Sequence, residues 1–371
     1  MTVGKLTHVY DNPIPQIRSR QALFPNICEL DDGTLLCCFY MAEAMDAADA
    51  RCYLAESRDG GRIWSEPWRM FTEDIGESEY CKCTSLGDGR VFALGYGAVR
   101  NDRNALLSNP ATGGLLPHRV FYSVSKDNGK TWIGKVPIPD AWHAHAEASA
   151  PVVKLADGSL AAPITGFPDW EGKMTAPLCG RCLISRDGGK TWNDDTVCMD
   201  FGNGEVSCYE QRFCVLASGT VVNIGWNENL KTGERLPNHI TYSEDNGCSF
   251  SRPISTGVMG QAASLCALDG EKFLAVVARR RDTDRPGIYG YVCDFSDRTW
   301  NVIEEGVIWS AGNGPIIRDE KMPEIFGFIK FGQPSVTRLK DGRLMLCFWY
   351  RQDGQFYVDV GEVALFPFPP K

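Results

Sequence analysis

The sequence lacks any apolar run near the roughly 18 to 20 residues that a membrane-spanning helix needs. It also lacks long blocks of like charge. The chain has 38 basic and 47 acidic residues, which give a net charge of −9. That balance argues against a nucleic-acid partner. No basic start followed by an apolar core of roughly 7 to 15 residues opens the sequence, so no secretory signal is visible and a cytoplasmic location is expected. The oligomeric state is left open.

Paired metal-ligand spacing is also missing, although the chain has fifteen cysteines. Most of them lie in apolar runs, as Cys37 and Cys38 do, where a thiol behaves as a small hydrophobic group. The pair Cys179 and Cys182 has no second pair at zinc-ribbon distance. We therefore predict reduced core cysteines, no metal site and no cofactor.

An internal repeat organises the chain. Two apolar segments around a glycine turn recur six times, about 62 residues apart on average. The turn glycines are Gly33, Gly89, Gly158, Gly219, Gly270 and Gly342. Each copy has the pattern of a β-hairpin in which glycine takes the positive φ of the turn.

A second turn follows four of these hairpins and has the form Ser-x-Asp-x-Gly-x-x-aromatic. These segments, here called the aspartate turns, begin at Ser57, Ser125, Ser185 and Ser243. A shortened fifth copy begins at Ser296. In such turns the aspartate accepts hydrogen bonds from backbone N–H groups and the glycine supplies a positive φ.

Four antiparallel strands in each of six repeats predict an all-β fold, a six-bladed β-propeller. The less favoured alternative is a two-domain β protein. We expect one domain spanning 1–371, in which an N-terminal strand at 5–10 completes the last blade. The predicted blades are 20–75, 76–142, 143–203, 204–257, 258–325 and 326–371.

Both kinds of turn lie at the same end of an antiparallel blade, which we call the turn face; the other end is the site face. The first strand of each blade starts on the site face, near the axis, where a pocket would form. The residues at these starts are Phe24, Tyr80, Ser149, Glu210, Gln261 and Gln333. Glu210 is the strongest candidate for an acid or base, with Arg212 to balance its charge; the alternative is a structural ion pair.

Other polar and aromatic residues join this face from loops. Of three consecutive arginines after a buried strand, alternation turns only one or two inward, and we expect Arg279 and Arg281 to bind an anionic substrate or to form a solvated rim. His143 and His145 are candidates for substrate contact or proton transfer. Trp226 could stack on a sugar ring. The predicted partner is a carbohydrate.

The aspartate turns resemble the Asp-box (BNR) repeats of the sialidase (neuraminidase) superfamily, and the likeness extends over essentially the whole chain. This resemblance implies a sialidase-like six-bladed propeller. It matches Glu210 to the family glutamate and places Asp46, or Asp49, near the family acid/base aspartate. Tyr209 stands next to Glu210 as a further catalytic candidate.

The sequence departs from the family pattern at three functional positions, one of which lies near Trp226 and Asn227, where the family has its second arginine. Leu23 stands where the family has an arginine that binds the sialic-acid carboxylate, so Arg18 or Arg20 would have to replace it. Gly332 and Gln333 stand where the family has its nucleophilic tyrosine. Two carboxylates suffice for most glycosidases. We therefore expect an exo-acting glycoside hydrolase for a terminal, acidic sugar, with Glu210 and Asp46 as its acid/base pair.

Two alternatives remain. One is a propeller lyase that abstracts the proton next to a uronate carboxylate with His143 or His145, Tyr209 and Arg212. The other is a propeller that binds carbohydrate without catalysis.

Overall fold

The structure is a computed structural model, and it describes residues 1–73, 76–139, 145–174, 178–313 and 329–365. Within these ranges the chain forms twenty-six β-strands and no helix. The strands build six antiparallel sheets, which confirms the predicted six-bladed propeller.

The first three sheets take their strands in chain order from the axis outward. Blade I contains β3 (Gln21–Glu29), β4 (Leu35–Ala42), β5 (Arg51–Ser57) and β6 (Trp68–Arg69). Blade II contains β7 (Glu77–Gly87), β8 (Arg90–Val99), β9 (His118–Ser125) and β10 (Val136–Pro137). Blade III contains β11 (Ala146–Glu147), β12 (Val153–Lys154), β13 (Leu160–Gly166), β14 (Gly180–Ser185) and β15 (Asn193–Met199). In blade III two short strands, β11 and β12, pair with β13 and together replace one innermost strand.

The other three sheets follow the same order. Blade IV contains β16 (Tyr209–Val215), β17 (Val221–Asn229), β18 (Glu234–Ser243) and β19 (Ile254–Ser255). Blade V contains β20 (Ala263–Ala267), β21 (Lys272–Arg279), β22 (Gly287–Asp294) and β23 (Asn301–Ser310). Blade VI contains β24 (Phe331–Arg338), β25 (Leu344–Gln352) and β26 (Gln355–Ala364).

The two ends of the chain meet in blade VI. Both β1 (Thr2–Val3) and β2 (Thr7–Tyr10) pair antiparallel with β26. Pairing the first strands with the last one closes the ring and covers the outer edge of β26.

Apolar side chains fill the spaces between neighbouring blades. Leu36 and Cys38 of blade I, for example, belong to one cluster with Cys81 and Val91 of blade II. All fifteen cysteines are free thiols, and only Cys179 and Cys248 are not buried.

The aspartate turns tie backbone groups together and pack against the preceding blade. In the second turn, Asp127 Oδ1 accepts hydrogen bonds from Ser125 Oγ at 2.7 Å and from the Thr131 backbone N–H at 2.8 Å. Gly189 of the third turn has a φ of 93°, and a Cβ atom there would lie 2.5 Å from the Phe92 ring of blade II. Only glycine fits that contact. The acids of these turns are therefore occupied by structural hydrogen bonds.

Three of the first strands begin with the same irregularity. Phe24, Glu210 and Gln333 have positive φ values of 53°, 43° and 37°. Each lies at a shift in strand register, between Leu23 and Asn26 in blade I and at the matching places in blades IV and VI. Bulges of this kind redirect a side chain, and left-handed backbone at a non-glycine residue is costly enough to be typical of functional positions.

Candidate active site

Glu210 lies at the axial start of β16, and both of its carboxylate oxygens accept hydrogen bonds. Trp226 Nε1 donates to Oε2 at 2.8 Å, and the Gln333 side-chain amide donates to Oε1. Trp226 is on the neighbouring strand of the same blade, whereas Gln333 comes from blade VI. The carboxylate is thus fixed in position, and within the described ranges its side-chain hydrogen-bond donors are neutral groups.

Gln333 connects Glu210 to a buried lysine. The Gln333 Oε1 atom accepts a hydrogen bond of 3.3 Å from Lys82 Nζ, which also donates to the backbone carbonyls of Phe24 and Pro25. Burial lowers the pKa of Lys82 to about 8, with the Arg212 charge acting in the same direction and Glu210 opposing it. Lys82 therefore joins blades I, II and VI at the axis.

Two buried arginines add positive charge beside Glu210. Arg212 Nη1 donates to Ser149 Oγ at 3.3 Å, and burial lowers its pKa while the charges of Glu210 and Glu147 raise it. Burial also lowers the pKa of Arg280 to about 10, and the Glu210 charge again opposes the shift. The site thus combines three cations with two carboxyl groups.

Glu147 of β11 is the second carboxyl group near the axis. Burial raises its pKa to about 7, and repulsion from the Glu210 carboxylate contributes to that increase. Ser149, Arg212 and Lys82 lower it by smaller amounts. Two interacting carboxyl groups of which one stays protonated near neutral pH are the usual arrangement for acid/base catalysis.

Aromatic rings form one wall of the site. Tyr209 lies 4.4 Å from the Trp226 ring and 5.6 Å from the Phe167 ring, measured between centroids. Arg281 lies over Trp226 at 5.5 Å, and one of its nitrogens is 4.0 Å from a Glu228 oxygen. Burial raises the pKa of Tyr209, so its hydroxyl stays protonated at neutral pH. The stack fixes the indole that donates to Glu210.

Asp46 lies in a different environment, between blades I and II. Burial raises its pKa to about 6, and Arg100 opposes that shift. Its charge acts on Tyr40, Tyr80 and Tyr96, and Glu147 also acts on Tyr96. The charges that act with Glu210 itself belong to Glu147, Lys82 and the two arginines. The role predicted for Asp46 stays a prediction.

The loop after β21 differs from the expected arrangement. Arg279 lies over the Tyr289 ring at 4.7 Å, on the neighbouring strand, and not beside Glu210. The middle arginine, Arg280, is buried and interacts with Glu210, whereas Arg281 lies over the Trp226 ring. Gln261 Oε1 accepts the backbone N–H of Arg280 at 2.9 Å, so Gln261 positions this loop.

The histidines lie beside blade II. His145 Nδ1 is 3.2 Å from the carbonyl oxygen of Leu116. Its charge acts on His118, a buried histidine whose pKa burial lowers to about 3. The His118 ring lies 5.1 Å from that of Tyr96. His143 lies outside the described residues.

Arg20 occupies a separate cavity on the site face of blade I, at its outer side. This space, here called the rim cavity, has a volume of about 230 Å³. Its charged and aromatic lining consists of Arg18, Arg20, Asp49, Arg51, Tyr53 and Arg69. The described structure shows no hydrogen bond or ion pair between these residues and Glu210, and the substrate-binding role predicted for Arg20 stays a prediction.

The free space along the propeller axis is narrow near Lys82 and Gln333 and wider toward the turn face. Beside Lys82 and Gln333, among the rings of Tyr40, Tyr80 and Tyr96, only about 10 Å³ is free, roughly one water molecule. A cavity of about 310 Å³ continues past Lys82 and Arg212 toward the turn face. The space between the tyrosines is therefore too small for any ligand larger than a water molecule.

Among the described residues, no group of three or more His, Cys, Asp or Glu side chains is arranged to hold a metal ion. The same part of the chain contains no helix that is both long and apolar enough to cross a membrane.

Known structures share this architecture. A protein of unknown function from Dyadobacter fermentans aligns over 98% of this chain and 99% of its own, with 17% identity and a TM-score of 0.75. An intramolecular trans-sialidase from Ruminococcus gnavus aligns over 96% of both chains, with 12% identity and a TM-score of 0.64. The fold is sialidase-like. A sialidase from Trypanosoma rangeli aligns over 93% of this chain, with 14% identity and a TM-score of 0.62, but the chain spans only 55% of it.

No protein-family model matches the chain, and no curated protein matches it significantly in sequence. At these identities the sialidase-like propeller is a likeness of fold, and the chemistry has to be argued from the site.

The sequence interpretation missed Glu147, Lys82 and Arg280. Lys82 had a signal, since it is a charged residue between two cysteines of an apolar strand. Arg280 was the middle member of a recognised run of three arginines. Glu147 stands two residues before Ser149, a predicted strand start, but nothing in its local sequence indicates that it faces Glu210.

Proposed function

We propose that this protein is a glycoside hydrolase that removes a terminal, acidic sugar, with Glu210 and Glu147 as its carboxyl pair. The observation that carries this proposal is the interaction of the two groups: Glu210 is hydrogen-bonded through both oxygens, and the pKa of Glu147 is raised to about 7. Glu210 would act as base or nucleophile, and Glu147 would protonate the leaving oxygen.

An acidic substrate is supported by the charge of the site. Lys82, Arg212 and Arg280 are all buried and lie within electrostatic reach of Glu210. When Glu147 is protonated, these three cations face a single carboxylate. A substrate carboxylate would restore the balance, and arginine is well suited to bind one.

The ordinary sialidase mechanism is not favoured by the residue beside Glu210. The family resemblance implies a tyrosine nucleophile paired with the glutamate. Here Gln333 donates the hydrogen bond to Glu210, and an amide cannot replace a phenol as nucleophile. The proposed reaction therefore uses carboxyl groups alone. Asp46, with its pKa raised to about 6, is the alternative acid.

The test is a screen of chromogenic glycosides that includes sialosides and glucuronides, with the anomeric product followed by NMR. With the best substrate found in this screen, Glu210→Gln should lower kcat by about 10²-fold or more, because the variant lacks the carboxylate that acts as base or nucleophile. Glu205→Gln is the matched control: it removes one charge from the same blade, but that carboxylate pairs with Lys231. Near-normal turnover in Glu210→Gln would exclude the proposed role.

A lyase is the second candidate, and the interaction between His118 and His145 favours it. His118 has a pKa of about 3 and is therefore neutral at working pH, and it lies within electrostatic reach of His145. A neutral imidazole can abstract a proton next to a uronate carboxylate. Ultraviolet absorbance of an unsaturated product would identify that reaction. A propeller that only binds carbohydrate would show neither product.

A further inference from the structure

The rim cavity combines an excess of positive charge with fixed walls. Four arginines line it, and Asp49 is the only acidic residue in the described lining. Asp49 Oδ1 accepts the Glu43 backbone N–H at 3.1 Å, and Ser19 Oγ donates to the Glu43 carbonyl at 2.7 Å. These bonds join the segment before β3 to the loop between β4 and β5, so the two sides of the cavity are held together.

Arg69 carries two donor atoms that matter for this cavity. It lies on β6, opposite Tyr53 of β5. Its Nε and Nη2 atoms are buried and have no hydrogen-bond partner in the structure. Buried donors without partners cost free energy, so an acceptor that reached these two nitrogens would relieve that cost.

Arg18 and Arg20 supply further guanidinium groups from the irregular segment before β3. The Arg18 backbone is fixed, since its carbonyl accepts Asn12 Nδ2 at 2.7 Å. Burial raises the pKa of the Tyr10 hydroxyl, while the Arg20 charge opposes that increase, so Arg20 lies close to this hydroxyl group. Three guanidinium groups around one small space favour a doubly charged anion over a singly charged one.

We propose that the rim cavity is a second anion site on the site face, which takes a sulfate or phosphate group, free or as an ester. At about 230 Å³ it is smaller than the roughly 300 Å³ at which pockets for drug-sized ligands begin, so it suits one such group and not an oligosaccharide. This site does not depend on the reaction proposed for Glu210.

The test is calorimetric titration with sodium sulfate at pH 7 and at an ionic strength held constant with chloride. We expect saturable binding to the wild type and at least a tenfold weaker Kd in Arg69→Gln. Arg62→Gln is the control, because Arg62 is an exposed arginine on the turn face of the same blade. Screening alone would change both variants equally.

Two further variants keep the proposal testable if Arg69→Gln does not fold. The double variant Arg18→Gln/Arg20→Gln alters an irregular segment and should also lose at least tenfold, whereas Glu205→Gln, which removes a charge paired with Lys231, should bind sulfate like the wild type. Glucose 6-sulfate and glucose 6-phosphate, titrated in parallel, distinguish esters from free ions. The proposal is overturned if none of these anions binds saturably, or if the Arg18/Arg20 variant binds like Arg62→Gln.

Discussion

On the turn face, Asp127 accepts several short hydrogen bonds, from Thr131 and Ser125, and these lower its pKa to about 2. On the site face, Glu147 has its pKa raised to about 7 by burial and by repulsion from Glu210. The two faces are built by the same strands. An aspartate that recurs at the same place in successive repeats is therefore best explained by the hydrogen bonds of a turn. A carboxyl group that occurs once, near the axis, is the better candidate for catalysis.

We expect the largest effect from Glu147→Gln, which removes the candidate acid of the site face. Loss of the acid should lower kcat by about 10²-fold for substrates with a poor leaving group. Because Glu147 must be protonated to act, wild-type kcat/KM should fall as the pH rises through about 7. The variant should lose that limb of the pH profile.

Asp46→Asn is the matched comparison for this experiment, since the pKa of Asp46 is raised to about 6. If this variant, and not Glu147→Gln, loses the alkaline limb, then Asp46 is the acid and the assignment of Glu147 is wrong.

A smaller effect is expected from Trp226→Phe. The ring stays between Tyr209 and Arg281, but the N–H that donates to Glu210 at 2.8 Å is removed. One lost hydrogen bond to a charged group corresponds to roughly a tenfold decrease in kcat/KM. Steady-state kinetics would measure it. A change in melting temperature with unaltered kinetics would show that Trp226 only packs.

The smallest catalytic effect is expected from Asp127→Ala on the turn face. Turnover should be unchanged, but the melting temperature at pH 7 should fall by about 2–4 °C, because the capping hydrogen bonds are lost. The native pKa of Asp127 is depressed, so its contribution to stability is present above the unfolded value near 4 and is lost as the pH falls through about 2.

The difference in melting temperature between Asp127→Ala and the wild type should therefore shrink between pH 4 and pH 2. Asp284→Ala, at an exposed aspartate, is the control and should leave the melting temperature unchanged. A loss of kcat in Asp127→Ala would contradict the separation of the two faces.

The sequence by itself determined the repeat, the chemistry of the turns and the propeller, because each aspartate turn is specified by residues within eight positions of one another. The same counting placed Glu210 at the start of an innermost strand. Tertiary structure alone decided its neighbours: Gln333, which donates to Glu210, is 123 residues away. It also decided that Arg280 and not Arg279 is buried there, and that Arg20 lies at the rim. Those outcomes depend on bulges and on packing between blades, which redirect single side chains without leaving a local pattern.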